Sequence, residues 1–226
     1  MYARVDDQIV ARLREIVGPQ HVLLDRESME PYSHDETAGL SAWPEVVVRV
    51  GSAEEVSQIL RLANERLLPV TPRGGGQGLS GGAVPVLGGI VLSLERMNRI
   101  LEIDHQNMMA TVEPGVITGD LHRAVEAEGL FYPPDPASLD SCLIGGNIAE
   151  NAGGPRALKY GTTMDYVRGL EIVLPTGEIL QLGGKLIKNV TGYDLIHLIV
   201  GSEGTLCVVT KVIVRLLPLP KEQIDL

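Results

Sequence analysis

Between Gly74 and Gly82 the chain gives six of nine positions to glycine, and no other stretch is so dense. Glycine loses the most backbone freedom on ordering and offers no side chain to pack, so such a run is a loop whose geometry demands it. Residues 45–50 read as a buried strand, and Ser52-Ala53-Glu54-Glu55 is a capping-box pattern. Val56, Ile59, Leu60 and Ala63 follow at helical spacing, and residues 67–71 read as a second strand. Strand, capped helix and strand make a βαβ unit with parallel strands and a right-handed crossover. The glycines come directly after it.

Gly76-x-Gly78-x-x-Gly81 matches the dinucleotide fingerprint only as a string, because that fingerprint needs a helix to begin within the glycines. Gly82-Ala83-Val84-Pro85 and Gly88-Gly89 break any helical period, and no Gly-Lys-Ser/Thr completes a Walker A loop. Two readings remain. The loop is either a plain connection, or a concavity of successive backbone N–H groups that binds a diphosphate without a helix dipole. With a formal charge of −10, such binding relies on local dipoles, helped by Arg73, and not on a global field. The same acidity, with no Lys/Arg run, excludes nucleic acid as a partner.

A second small-residue run, Ile144 through Pro155, again invites close backbone approach, and Asn147 and Asn151 offer amide donors and acceptors. Two such clusters in one chain favour two walls of one slot over two ordinary turns. Elsewhere, residues 6–17 form a packing helix and 90–94, 100–103 and 110–113 short strands. Thr118 caps a helix that ends at Gly129, and Pro175-Thr176-Gly177 turns a hairpin. A second lobe begins near Asp104. Glu203 alone reads as a loop carboxylate. The five histidines scatter without a close pair, so no metal site is expected, and Cys142 and Cys207 read as small buried hydrophobes, not a disulfide. Acids occupy the N-terminus where a secretory signal is cationic, and no apolar run approaches ~18 residues, so a cytoplasmic protein without a transmembrane segment is expected.

Six blocks in order carry a family resemblance: Pro72 to Ala83, Pro133-Pro134-Asp135-Pro136, Ile144 to Gly154, Lys159-Tyr160-Gly161, Thr191 to Leu195, and Gly201-Ser202-Glu203-Gly204-Thr205-Leu206. Together they resemble the FAD-binding domain of the vanillyl-alcohol oxidase/PCMH superfamily, in particular its branch of FAD-linked glycolate oxidase subunits and D-lactate dehydrogenases. The resemblance implies an α+β fold, a PCMH-type FAD-binding domain of two α/β lobes with the flavin between them. It divides the chain into an N-terminal helical segment (1–44), a first lobe (45–103) and a second lobe (104–226).

By the same resemblance the cofactor residues are Pro72, Arg73, Gly74, Gly75, Gly76, Gln77, Gly78, Leu79 and Ser80 at the pyrophosphate. Gly145, Gly146, Asn147, Ala149 and Asn151 line the adenosine-to-flavin slot, and Pro134, Ser138, Tyr160, Glu203, Gly204 and Val208 complete the site. Relatives with histidyl-linked flavin carry His where this chain has Gln77, which implies noncovalent FAD. Cys207 stands in place of a usual Gly and Leu143 of a usual Thr. Relatives also carry a substrate domain after this one, with the metal ligands and catalytic base; that domain is not in residues 1–226, and no catalytic residue is assigned.

The expected function is the FAD-binding part of an oxidoreductase that oxidises a D-2-hydroxy acid such as glycolate or D-lactate and hands electrons to a separate acceptor. The alternatives are a stand-alone FAD-binding or electron-transfer subunit that needs a partner chain, and a nucleotide-binding module without redox chemistry.

Overall fold

The computed structural model describes residues 2–222. Helix α1 (Asp7–Val17) starts where the Asp6 carboxylate accepts the Ile9 N–H at 2.9 Å, and it buries Ile9, Leu13 and Val17. After strand β1 (Val22–Leu23) and the single turn α2 (Arg26–Met29) come β2 (Val46–Arg49), α3 (Ala53–Arg66), β3 (Val70–Arg73) and β4 (Ile90–Ser93). The start of α3 is capped as its sequence implies: Ser52 Oγ accepts the Glu55 N–H at 3.2 Å. Glu55 reaches back to the N–H of Gly51 at 2.7 Å, one residue before the cap. β3 begins later than expected because Leu67 takes a left-handed conformation (φ +55°) that closes α3.

These strands form one sheet in the order β1-β2-β4-β3. β2 and β3 run parallel, as the βαβ pattern requires, but β4 lies between them and pairs with both. The sheet is covered on each side, which accounts for unbroken runs such as Val46-Val47-Val48 and Ile90-Val91-Leu92. Val46, Val48, Ile90 and Leu92 pack under α1 and α3, while Val47 and Val91 face Met29 and Tyr32 of the N-terminal segment.

The rest of the chain builds a second layer: β5 (Ile100–Asp104), β6 (Met109–Val112), α4 (Thr118–Ala127), β7 (Leu130–Phe131), α5 (Ile144–Glu150), α6 (Ala157–Tyr160), β8 (Val167–Val173), β9 (Ile179–Gly183), α7 (Leu195–Ile199), β10 (Val208–Arg215) and β11 (Leu217–Pro218). Its five-stranded sheet is antiparallel in the order β5-β6-β10-β8-β9, so this sheet already takes in Ile100, ahead of Asp104. β10 alternates buried and half-buried positions along its length, and its inner residues Val212 and Val214 meet Leu121 and Val125 of α4 and Ile144 and Ile148 of α5. Thr118 is the first residue of α4, not its cap; Ile117 precedes it, and the Thr118 hydroxyl donates to the Cys142 carbonyl at 3.3 Å. The β8–β9 turn is the expected hairpin, with Gly177 at φ +86°.

The two layers are seamed together. Val173 and Val208, from the second sheet, are buried in the first core, and Arg61 of α3 donates to the Gly177 carbonyl at 3.3 Å. Among the described residues no helix is long and apolar enough to cross a membrane. Leu121 is fully buried at the centre of the second core. Leu121→Ala is expected to lower unfolding free energy by about 2–5 kcal/mol, read as a lower urea midpoint at constant slope.

Candidate functional site

The glycine loop runs from the end of β3 to the start of β4 and must cross between two neighbouring parallel strands without a helix. Arg73, at the end of β3, gives it shape. Only 6% exposed, its guanidinium donates through Nη2 to the Pro31 carbonyl at 2.7 Å and through Nη1 to the Ala83 carbonyl at 3.2 Å, over the ring of Tyr32. Burial lowers its pKa, opposed by the charge of Asp35. Its bonds to Pro31 and Ala83 buttress the loop from beneath, and Arg73 also lines the cavity described below. A Cβ on Gly76 (φ +71°) would collide with Nη2, so that position has neither the space nor the backbone angle for a side chain.

The second small-residue run is not the open loop its composition implies. Its first half is α5, and Gly145 and Gly146 lie in the first turn. Gly145 packs on the turn at Pro114, with its N–H on the Pro114 carbonyl at 2.7 Å, and a Cβ there would stand 2.8 Å from Pro114 Cβ. Asn147 is buried and donates through Nδ2 to Thr118 Oγ1 at 2.6 Å, tying α5 to α4. Asn151 caps α5 in a left-handed conformation, and its Oδ1 accepts from Thr162 Oγ1 and the Met164 N–H, both at 2.9 Å. Both amide groups expected to face a ligand thus make bonds that hold the wall in place.

The two clusters touch: a Cβ on Gly74 would stand 3.4 Å from the Gly146 nitrogen. Between and above them opens a cavity of about 270 Å³. A third side comes from residues 201–208, bolted to α5 by the Gly201 N–H on Ile148 O and the Glu203 N–H on Ala149 O, both at 2.9 Å. Glu203 adopts φ +53°, uncommon for a residue with a side chain. Ser80 Oγ donates to Glu150 Oε1 at 2.8 Å, and Glu150 and Glu203 flank Gly82 at the rim. A second cavity of about 340 Å³ shares Pro72, Gly204, Cys207 and Val208 with the first, so the two form one extended groove. Burial pushes the Cys207 thiol up to about 11, leaving that waist uncharged at neutral pH.

Of the residues expected in the site, Ser80, Pro134, Asn151 and Tyr160 lie off the wall of the first cavity, and the rest line it. The Pro134 carbonyl accepts from buried His122 at 2.8 Å, and Tyr160 packs edge-on against Phe131. Sequence reasoning missed Asp35, Leu94 and Ile199 on the wall. None stands in a small-residue run; each arrives through tertiary packing.

A groove between two sheet layers, walled by glycine main chain at its centre and uncharged at its waist, has a shape suited to an extended dinucleotide. The match of residues 44–183 to the family model described as FAD binding domain makes it specific: the chain belongs to that family, and its cofactor is FAD. Over 217 residues it is 49% identical to glycolate oxidase subunit GlcD of Bacillus subtilis, a match spanning 96% of this chain and 46% of the relative. Over 226 residues it is 45% identical to a D-lactate dehydrogenase of Anaerostipes hadrus, spanning 100% of this chain and 47% of the relative. The solved structure of alkyldihydroxyacetonephosphate synthase superposes with a TM-score of 0.84 at 25% identity, covering 98% of this chain and 42% of that one. The chain spans about half the length of the curated relatives it matches.

The residues present fit FAD. Beside Gly145, which protein fills, Gly146 has nothing within 4 Å of where its Cβ would stand, and that space belongs to the cavity. Gly146→Ala therefore keeps or raises the thermal midpoint of the FAD-free protein, since Ala is the better helix former by about 1 kcal/mol, and weakens FAD binding at least tenfold. Gly76→Ala loses both stability and affinity. Differential scanning fluorimetry and flavin-fluorescence titration on the two variants check this contrast.

Proposed function

We propose that this chain is the flavin-holding half of an oxidoreductase that converts a small D-2-hydroxy acid, of the glycolate or D-lactate type, to the 2-oxo acid on noncovalently bound FAD. The observation that carries the reading is the meeting of Gly74 and Gly146 across one cavity, in a chain whose full-length relatives are named for such acids. When bound, FAD supplies the two-electron acceptor that takes hydride from the alcohol carbon. The chain's own work is binding. N–H groups of the loop from Gly74 to Leu79 would hold the diphosphate, the flat face of α5 would bear on a ring, and the apolar waist would exclude water.

Gln77 supports the noncovalent reading, because it lines the cavity as an amide that lacks the nucleophilic ring nitrogen a histidyl link requires. The residue that takes the substrate hydroxyl proton is proposed to lie in the half of the relatives that this chain does not span, so little turnover is expected from residues 1–226 alone. The electrons leave to a separate acceptor. Two free, buried cysteines fit a reducing compartment, the cytoplasm.

A second reading, an FAD-holding subunit completed by a partner chain, draws on one observation. Between β9 and α7 the side chains of Ile187, Val190 and Tyr193 are 91%, 79% and 94% exposed, an apolar stretch fit for a docking polypeptide.

Freshly purified protein is expected to be yellow, and heat is expected to leave FAD in the supernatant over a colourless pellet. Glycolate or D-lactate oxidation by residues 1–226 is expected to be negligible until the half of the relatives that they do not span is supplied in the same or a second chain. Flavin that stays with the pellet overturns the noncovalent reading; a colourless protein carrying ATP or NAD overturns the whole.

A further inference from the structure

Residues 31–40, ahead of the region matched to the family, form a strap across the glycine loop. The Pro31 carbonyl accepts from Arg73, the Glu36 N–H donates to the Gly78 carbonyl at 3.0 Å, and the Leu40 side chain fills the space beside Gly81. In the middle of this strap stands Asp35, 6% exposed and on the wall of the first cavity. Its Oδ1 accepts the Thr37 N–H at 2.9 Å. Its Oδ2 is buried and has no hydrogen-bond partner among the described residues.

A carboxylate oxygen taken out of water without a donor is strongly disfavoured, and native proteins keep few such atoms without a reason. Arg73 lies within electrostatic reach, yet its guanidinium is bonded to the Pro31 and Ala83 carbonyls. Asp35 lines the cavity, and a donor seated there would satisfy this oxygen. An ionised carboxylate is acceptor-only, so it repels a diphosphate and selects an N–H or O–H group. FAD carries both kinds, on its ring imide and its hydroxyls.

We propose that Asp35 is a cofactor-binding residue contributed by the N-terminal strap, whose Oδ2 accepts a hydrogen bond from an N–H or O–H of bound FAD. The proposal rests on the FAD reading of the cavity. It makes the strap part of the site and not merely its support, and it explains why a buried acid is tolerated beside the loop that grips an anion. In the FAD-free protein the oxygen is frustrated; the bound cofactor relieves it.

Asp35→Asn tests this, because the amide oxygen still serves the Thr37 N–H while an NH2 group replaces the waiting acceptor. Two quantities are measured on the full chain: the FAD dissociation constant, by flavin-fluorescence titration, and the thermal midpoint with FAD removed. The expected result is affinity weakened at least tenfold with a midpoint equal to or above that of the wild type. A loss of affinity below threefold overturns the proposal. So does a larger loss accompanied by a lower midpoint, which would make Asp35 a brace of the strap alone. Failure of the wild-type chain to bind FAD at all would instead remove the cofactor reading, and this proposal with it.

Discussion

Two stretches of main chain meet at Gly74 and Gly146, where a Cβ on Gly74 would stand 3.4 Å from the Gly146 nitrogen, and the groove exists because that approach is held. A glycine-rich segment does not hold itself, since its conformational freedom is the largest of any composition. What holds it is Arg73. Its guanidinium joins the carbonyl of Pro31, in the N-terminal segment, to that of Ala83, on the far side of the loop, and fills the space beneath Gly76. Burying a cation is costly unless it is well bonded. Here two carbonyls, the face of Tyr32 and the opposite charge of Asp35 offset that cost.

Adjacent glycines on α5 show how one residue type serves two ends. Gly145 is required by the protein, because Pro114 occupies the place of its Cβ. Gly146 is required by nothing in the protein, because that place is open. The first fixes the helix against the turn that precedes α4; the second leaves a flat face toward the cavity. The amides of Asn147 and Asn151 belong with the first kind, committed to Thr118 and to the Thr162 hydroxyl and Met164 N–H, so that the wall is rigid and the cavity is faced mainly by backbone and small side chains.

Local patterns in the sequence made much of this legible. The apolar period of α1, the capped start of α3 and the Pro175-Thr176-Gly177 hairpin all rest on contacts a few residues apart, and each formed where its residues placed it. The insertion of β4 between β2 and β3 rests on pairing across more than forty positions for Val46 and Ile90, and no local pattern encodes that order. α5 was hidden for a different reason. Two glycines weaken helix propensity, yet Ile144 and Ile148, one turn apart, are both buried in the second core and impose the helix from outside. Asp35 was invisible altogether, since nothing near it in sequence distinguishes it from the chain's other acids.

The charge distribution sets how such a site must work. The chain carries a net charge of −10, and Glu150 and Glu203 stand at the rim of the glycine loop, so long-range attraction does not gather a dianionic cofactor. On the proposed reading, affinity would arise at contact distance, from backbone N–H groups that act only once the phosphates are seated and from burial of rings along the uncharged waist. The waist shared by the two cavities, formed by Pro72, Gly204, Cys207 and Val208, suits that requirement: it presents no ionised group, and the raised pKa of Cys207 keeps its thiol neutral. A ligand with the same phosphates but no flat apolar end would lose the larger part of that contact energy. On that reading the acidic surroundings would disfavour the simple anions that a basic pocket would collect.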